Sequence, residues 1–104
     1  MTRLQTVIEL HGFVRRAKAI MTETEREGIV TFLAANPEAG VSLGAGPRKV
    51  RIPRLGGGKS GGYRTIYVFG GDHIPLVLLT VFAKNEKDNL SAAELAEQIG
   101  RAHV

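Results

Sequence analysis

The side chains of this sequence best suited to chemistry are basic, and they crowd into one stretch. Between Glu38 and Asp72 there is no acidic residue, while Arg48, Lys49, Arg51, Arg54, Lys59 and Arg64 place six positive charges there. The remainder carries eight basic and ten acidic side chains, so the net charge of +4 arises wholly within that window. Guanidinium groups fork onto phosphate oxygens and ammonium groups neutralise them, so such a concentration marks a polyanion-binding face. The competing reading of Arg48, Lys49, Arg51, Arg54 and Arg64 is a solvated strand face. The missing acids remove the paired charges that such a face usually carries, and this favours phosphate. Charge alone supplies no catalyst.

Other chemistries are weaker on the same residues. Gly58-Lys59-Ser60 ends like a phosphate-binding loop, and Gly56, Gly58 and Gly61 match the spacing of a dinucleotide fingerprint. Either motif must open a helix whose amino terminus holds the phosphate. Here a strand pattern follows, and Pro53 stands where the first motif needs glycine. The run reads instead as a flexible loop presenting Lys59. His11, His73 and His103 are dispersed and there is no cysteine, so no zinc site and no cofactor is expected; each histidine reads as a loop or terminal surface residue. Tyr63 and Tyr67 have the chemistry to stack on bases or to act as an acid, but strand aromatics more often pack in a core. Alternation sets both opposite Arg64. Lys84-Asn85-Glu86-Lys87 follows a long apolar run, which is either a strand end where sites form or an exposed turn.

The elements that must hold these groups follow from periodicity. Residues 4–9 carry a weak strand signal that stops at His11-Gly12. Phe13, Ala17, Ile20 and Met21 recur at helical spacing over residues 13–21. Thr22 with Glu25 forms a capping-box pattern for a second helix to Ala35, with Ile29, Phe32 and Leu33 as its buried stripe. Asn36-Pro37 ends it, and Gly40, Gly44 and Gly46 punctuate a loop. Over residues 48–52 the chain alternates, with Val50 and Ile52 facing one way and Lys49 and Arg51 the other. Residues 63–69 and 76–83 read as an antiparallel hairpin turning at Gly70-Gly71-Asp72-His73. Ser91 with Glu94 opens a short carboxy-terminal helix before Leu95, Ala96 and Ile99. The order β-α-α-β-β-β-α argues for an α+β fold: an antiparallel sheet with an amino-terminal helical hairpin on one face, the other face being open.

Residues 1–104 suit one domain. The amino-terminal sequence lacks the uninterrupted apolar stretch of a secretory signal, and the most apolar run, residues 74–83, is too short for a bilayer. With no cysteine to protect, a cytoplasmic protein without membrane partners is expected.

Three blocks of this sequence resemble a known family: Arg48-Lys49-Val50-Arg51, then Gly58-Lys59-Ser60-Gly61-Gly62-Tyr63-Arg64-Thr65-Ile66-Tyr67, then Phe82-Ala83-Lys84-Asn85-Glu86-Lys87. They are similar to the RelE/HigB-type toxins of type II toxin–antitoxin systems, within the RelE/ParE superfamily. Residues 32–40 also resemble the helix end and turn of the phage-related, HigB-like branch. The resemblance implies a compact antiparallel sheet with a helical hairpin. It implies a ribosome-dependent endoribonuclease that enters the ribosomal A site, against ribosomal RNA, and cuts messenger RNA without metal or cofactor, a ribose 2′-hydroxyl attacking the adjacent phosphate. It implies a cognate antitoxin, expected to be of helix-turn-helix type, inhibition of translation and growth, and no membrane.

By position, Lys49 and Arg51 match the family's paired basic residues on the second strand, and Arg64 matches the arginine after Gly-Tyr on the third. Lys84 matches the basic position after the fourth strand, and Lys59 sits in the longer glycine loop of the HigB-like branch. The resemblance thus implies Arg51, Lys59, Arg64 and Lys84 as catalytic residues, with Arg48, Lys49, Arg54 and Lys87 binding RNA. The chain departs from the best-known members at two places: Asn85 stands for an arginine, and no tyrosine follows Tyr67. Two alternatives keep the fold and change the function: a ParE-like inhibitor of DNA gyrase, and a degenerate member that only binds RNA or antitoxin.

Overall fold

The computed structural model describes residues 4–53 and 62–83. These form strand β1 (Val7–Glu9), helices α1 (His11–Ile20) and α2 (Glu23–Ala35), and strands β2 (Val41–Ser42), β3 (Pro47–Pro53), β4 (Gly62–Val68) and β5 (Leu76–Ala83). The strands make one sheet in the order β1-β5-β4-β3-β2. The α+β class and the helical hairpin on one face agree with the sequence reading. The expected carboxy-terminal helix lies outside the described residues.

Sequence and structure differ at several places. The sheet is mixed rather than antiparallel: β1 runs parallel to β5, Val7 beside Leu76 and Glu9 beside Leu78. The helical hairpin carries the chain away from β1 before any other strand forms, and β1 takes the outer edge of the last strand. Second, His11 and Gly12 open α1 instead of stopping β1. The amide of Val14 bonds the Leu10 carbonyl at 3.0 Å, and first-turn amides need no partner within the helix, so glycine is tolerated there. Third, the glycine-punctuated loop contains β2, which pairs antiparallel with β3. Its turn closes on Gly44, Ala45 and Gly46, all left-handed with φ of 82°, 56° and 107°. A two-residue strand is too short to show a period.

Fourth, Phe32 is 40% exposed, whereas Ile29 and Leu33 are buried with Phe13 and Ala17 of α1. The i, i+4 pair Ile29 and Leu33 points into the sheet, and Phe32 lies at the margin of that stripe. The start of α2 is as the sequence implies. The Thr22 hydroxyl accepts from the Glu25 amide at 3.1 Å, and the Glu25 carboxylate accepts from the Thr22 amide at 3.0 Å. Two otherwise orphaned donors are thereby satisfied, a cap worth about 1 kcal/mol.

The main core lies between the hairpin and the sheet and takes in Val50, Tyr63, Tyr67, Leu76, Leu78 and Val81. Between Ile66 and Tyr67 the β4–β5 register shifts, leaving Leu79 as an extra residue in β5. Ile66 and Leu79, each 1% exposed, form a second cluster with Leu10, Val68, Val77 and Phe82. Alternation from Val50 and Thr65 sets Ile66 on the face away from the helices, so the middle of that face is apolar and buried rather than open. No helix among the described residues is long and apolar enough to cross a membrane.

Thr65 is fully buried beside Val50 and Val81, and its hydroxyl finds no hydrogen-bond partner among the described residues. Thr65→Val keeps the shape and removes an unsatisfied polar group, so it is expected to stabilise the fold by about 1 kcal/mol. A higher urea midpoint at constant m-value is the expected observation; a lower midpoint would show that the hydroxyl is bonded in solution.

At the other end of the hairpin, the Arg26 guanidinium reaches both Glu9 of β1 and Glu23 of its own helix. Its hydrogen bond to Glu23 holds that carboxyl below the usual carboxylate value and raises the Arg26 pKa. A carboxylate with a lowered folded-state pKa contributes stability above its unfolded pKa, and that contribution fades as pH falls through the folded value. Arg26→Met is therefore expected to lower the thermal midpoint at pH 7, with the gap from the parent closing below about pH 4.5. A gap independent of pH would mean that Arg26 acts by packing alone.

Candidate functional site: a cationic face on the central strands

The site is built on β3 and β4, which pair antiparallel along their whole length. Each is pinned on its inner side. Val50 packs in the core, and Ile52 lies against it. Tyr63 is 3% exposed, with its hydroxyl near the Ile20 carbonyl (3.1 Å) and a Glu25 carboxylate oxygen (3.3 Å). Tyr67 is wholly buried. Both tyrosines are thus core residues set opposite Arg64, as alternation implies, and their hydroxyls are turned toward the helices and the connecting loop.

With the inner face fixed, the intervening residues turn outward. Arg51 stands directly across from Arg64, and Lys49 across from Ile66. Cross-strand neighbours share a face, and like charges directly opposite each other disfavour the pairing by a few tenths of a kcal/mol up to about 1 kcal/mol. The register thus sets two guanidinium groups side by side on the outer face. A Cβ added at Gly62 would lie 3.6 Å from Arg51 Cγ and 3.8 Å from its Nε. The Arg51 side chain therefore leans along the start of β4, where glycine leaves it room.

Lys49, Arg51 and Arg64 line one shallow depression together with Val50 and with Ala39, Gly40 and Val41, which form its wall on the β2 side. Among the described residues the lining contains three cations and no carboxylate. This wall was not legible as part of the site: Gly40 reads in the sequence only as loop punctuation. A second depression, between α2 and β3, is lined by Gly28, Ile29, Phe32, Ile52, Pro53 and Tyr63 with Glu25 and is apolar.

Of the site residues expected from sequence, the structure brings together Lys49, Arg51 and Arg64. Arg48 faces the other way, toward the helix side, where one guanidinium nitrogen donates to the carbonyls of Glu38 (3.1 Å) and Gly40 (2.6 Å). Arg54, Lys59, Lys84 and Lys87 lie outside the described residues. His11 sits exposed at the start of α1 and His73 in the exposed β4–β5 turn, while His103 lies outside the described residues. Among the described residues no three of His, Asp or Glu converge.

A family model described as the RelE toxin of the RelE / RelB toxin-antitoxin system matches residues 9–103. The chain belongs to the RelE toxin family. It is thereby the toxin of a toxin–antitoxin pair, and an antitoxin is its partner. The match takes in both helices and β2 to β5 of this RelE-family toxin, so Lys49, Arg51 and Arg64 all fall within it. Arrayed on one face, these groups are equipped to bind a phosphodiester through three cations and to stabilise charge that develops on it.

Proposed function

We propose that this toxin is a ribosome-dependent messenger RNA endoribonuclease of the HigB-like branch, acting in the cytoplasm as one domain over residues 1–104. The observation that carries the reading is the cross-strand pair Arg51 and Arg64, with Lys49 on the same outer face. A cut within translated messages accounts for a compact face of cations better than simple binding does, because cleavage needs charge stabilisation at one phosphate.

In this reading the ribose 2′-hydroxyl attacks the adjacent phosphorus, the bond from phosphorus to the 5′-oxygen breaks, and a 2′,3′-cyclic phosphate and a 5′-hydroxyl result. A base takes the proton of the attacking hydroxyl, and an acid returns one to the leaving oxygen. Arg64, aided by Arg51, holds the phosphate oxygens as their charge grows. Lys59 and Lys84 are assigned from the family resemblance to contact the phosphate or to protonate the leaving oxygen, and Lys49, Arg54 and Lys87 to bind the flanking RNA. The message is held in the ribosomal A site against ribosomal RNA, and a helix-turn-helix antitoxin neutralises the toxin.

The test is brief induction in cells followed by mapping of messenger RNA 5′ ends. Cuts confined to translated frames are expected. Growth arrest without cuts would sink the nuclease reading and leave gyrase inhibition, with its DNA-damage response, or binding alone.

A further inference from the structure

Residues 36–40 form a strap that joins α2 to β2, and its Ala39 and Gly40, with Val41, line the cationic depression. Both polar groups of the Gly40 backbone are held from the helix side. Its amide donates to the Tyr67 hydroxyl at 3.1 Å, and its carbonyl accepts from Arg48 at 2.6 Å. Arg48 also holds the Glu38 carbonyl, and Val41 pairs with Lys49. Arg48 and Tyr67 stand directly opposite each other on β3 and β4, so a single cross-strand pair grips the two peptide groups that flank one residue.

The grip is close. A Cβ at Gly40 would lie 2.3 Å from the Lys49 carbonyl oxygen and 3.1 Å from Val50 Cβ, so a side chain there must push the strap away from β3. The strap therefore presses directly on the backbone of the residue that presents Lys49 to the depression. Arg48 Nε is buried with no partner among the described residues, and the side chain is directed at carbonyls rather than at solvent on the cationic face.

We propose that Arg48 and Tyr67 are positioning residues: they clamp the Gly40 strap as a rigid wall that sets where a phosphodiester rests against Lys49, Arg51 and Arg64. Arg48 then acts through its two carbonyl contacts and not through its charge. The inference rests on the RNA-cleaving reading of that site. Its physical basis is that a displacement of about 1 Å in a reacting group is enough to slow a reaction up to a hundred-fold while binding barely changes.

The experiment is single-turnover cleavage on ribosomes carrying a defined message, with the full-length toxin in excess. It reads the saturating rate and the toxin concentration giving half that rate, with a thermal midpoint taken for each variant. Tyr67→Phe keeps the buried ring and removes one hydroxyl, and Gly40→Ala disturbs the same contact from the other side. Each is expected to lower the saturating rate about ten-fold or more, with half-saturation unchanged within about two-fold. Arg48→Lys, which keeps the charge, is expected to lose as much as Arg48→Met. Wild-type rate in Tyr67→Phe and Gly40→Ala would overturn the clamp. An Arg48→Lys variant that retains the wild-type rate, or an Arg48→Met defect confined to half-saturation, would make Arg48 an ordinary phosphate contact. If the wild-type toxin cuts no message and matches Arg64→Ala, the RNA reading itself falls and the positioning role with it.

Discussion

Arg64→Ala is expected to slow messenger RNA cleavage about 10²–10³-fold, the usual loss when one preorganised donor to a developing oxyanion is removed. Arg64 carries this expectation because its strand is the best-anchored part of the site. Tyr63 and Thr65 on either side of it are buried, and β4 is paired on both edges, by β3 and by β5. The loss should appear in the rate at saturation, and growth arrest on induction should disappear. Antitoxin binding and the thermal midpoint should stay close to the parent's, since the side chain lies outside both apolar clusters. Arg51→Ala is expected to behave alike but more mildly, its side chain being more exposed. The two effects should not multiply in the double variant if both groups serve one phosphate, as proposed. A rate within three-fold or so of the parent for Arg64→Ala would remove it from the catalytic assignment, being far from the loss that such donors show.

The largest effect on stability is expected at Phe13. Phe13→Ala should cost about 3–5 kcal/mol, while Phe32→Ala should cost less than about 1 kcal/mol. Both are helical phenylalanines, but Phe13 is wholly buried against the sheet and Phe32 is 40% exposed. Removing the first leaves a cavity between α1 and β5 where the hairpin seats on the sheet. Removing the second only trims the rim of the groove between α2 and β3. Since small domains have only about 5–15 kcal/mol in total, the Phe13 variant should be largely unfolded at modest urea concentrations. Equal losses at the two positions would show that Phe32 is buried in solution by residues outside the described part of the chain or by a second molecule.

Local pattern carries much of this protein. The capping box at Thr22 and Glu25, the stop at Asn36-Pro37, the alternation over β3 and the apolar runs of β4 and β5 each depend on neighbours a few residues apart, so they can be read from the chain directly. The separation of Lys49 and Arg51 from Val50 and Ile52 likewise follows from the two-residue period of a strand. Family membership is legible for the same reason: the blocks around Arg51 and Arg64 are contiguous in sequence.

Tertiary structure decides what depends on partners far along the chain. No pattern within residues 7–9 says that they lie parallel to residues 76–78, because a parallel pairing is set by where the intervening helices return the chain. The bulge at Leu79 and the apolar cluster on the outer face arise from β4–β5 register, which neither strand specifies alone. Arg48 shows the limit most plainly. By type and spacing it is one more cation of the basic window, yet register places it beside Tyr67 on the helix side. There one nitrogen of its guanidinium donates to the carbonyls of Glu38 and Gly40. The charge of a residue is fixed by its type, but the group that meets that charge is chosen by the fold.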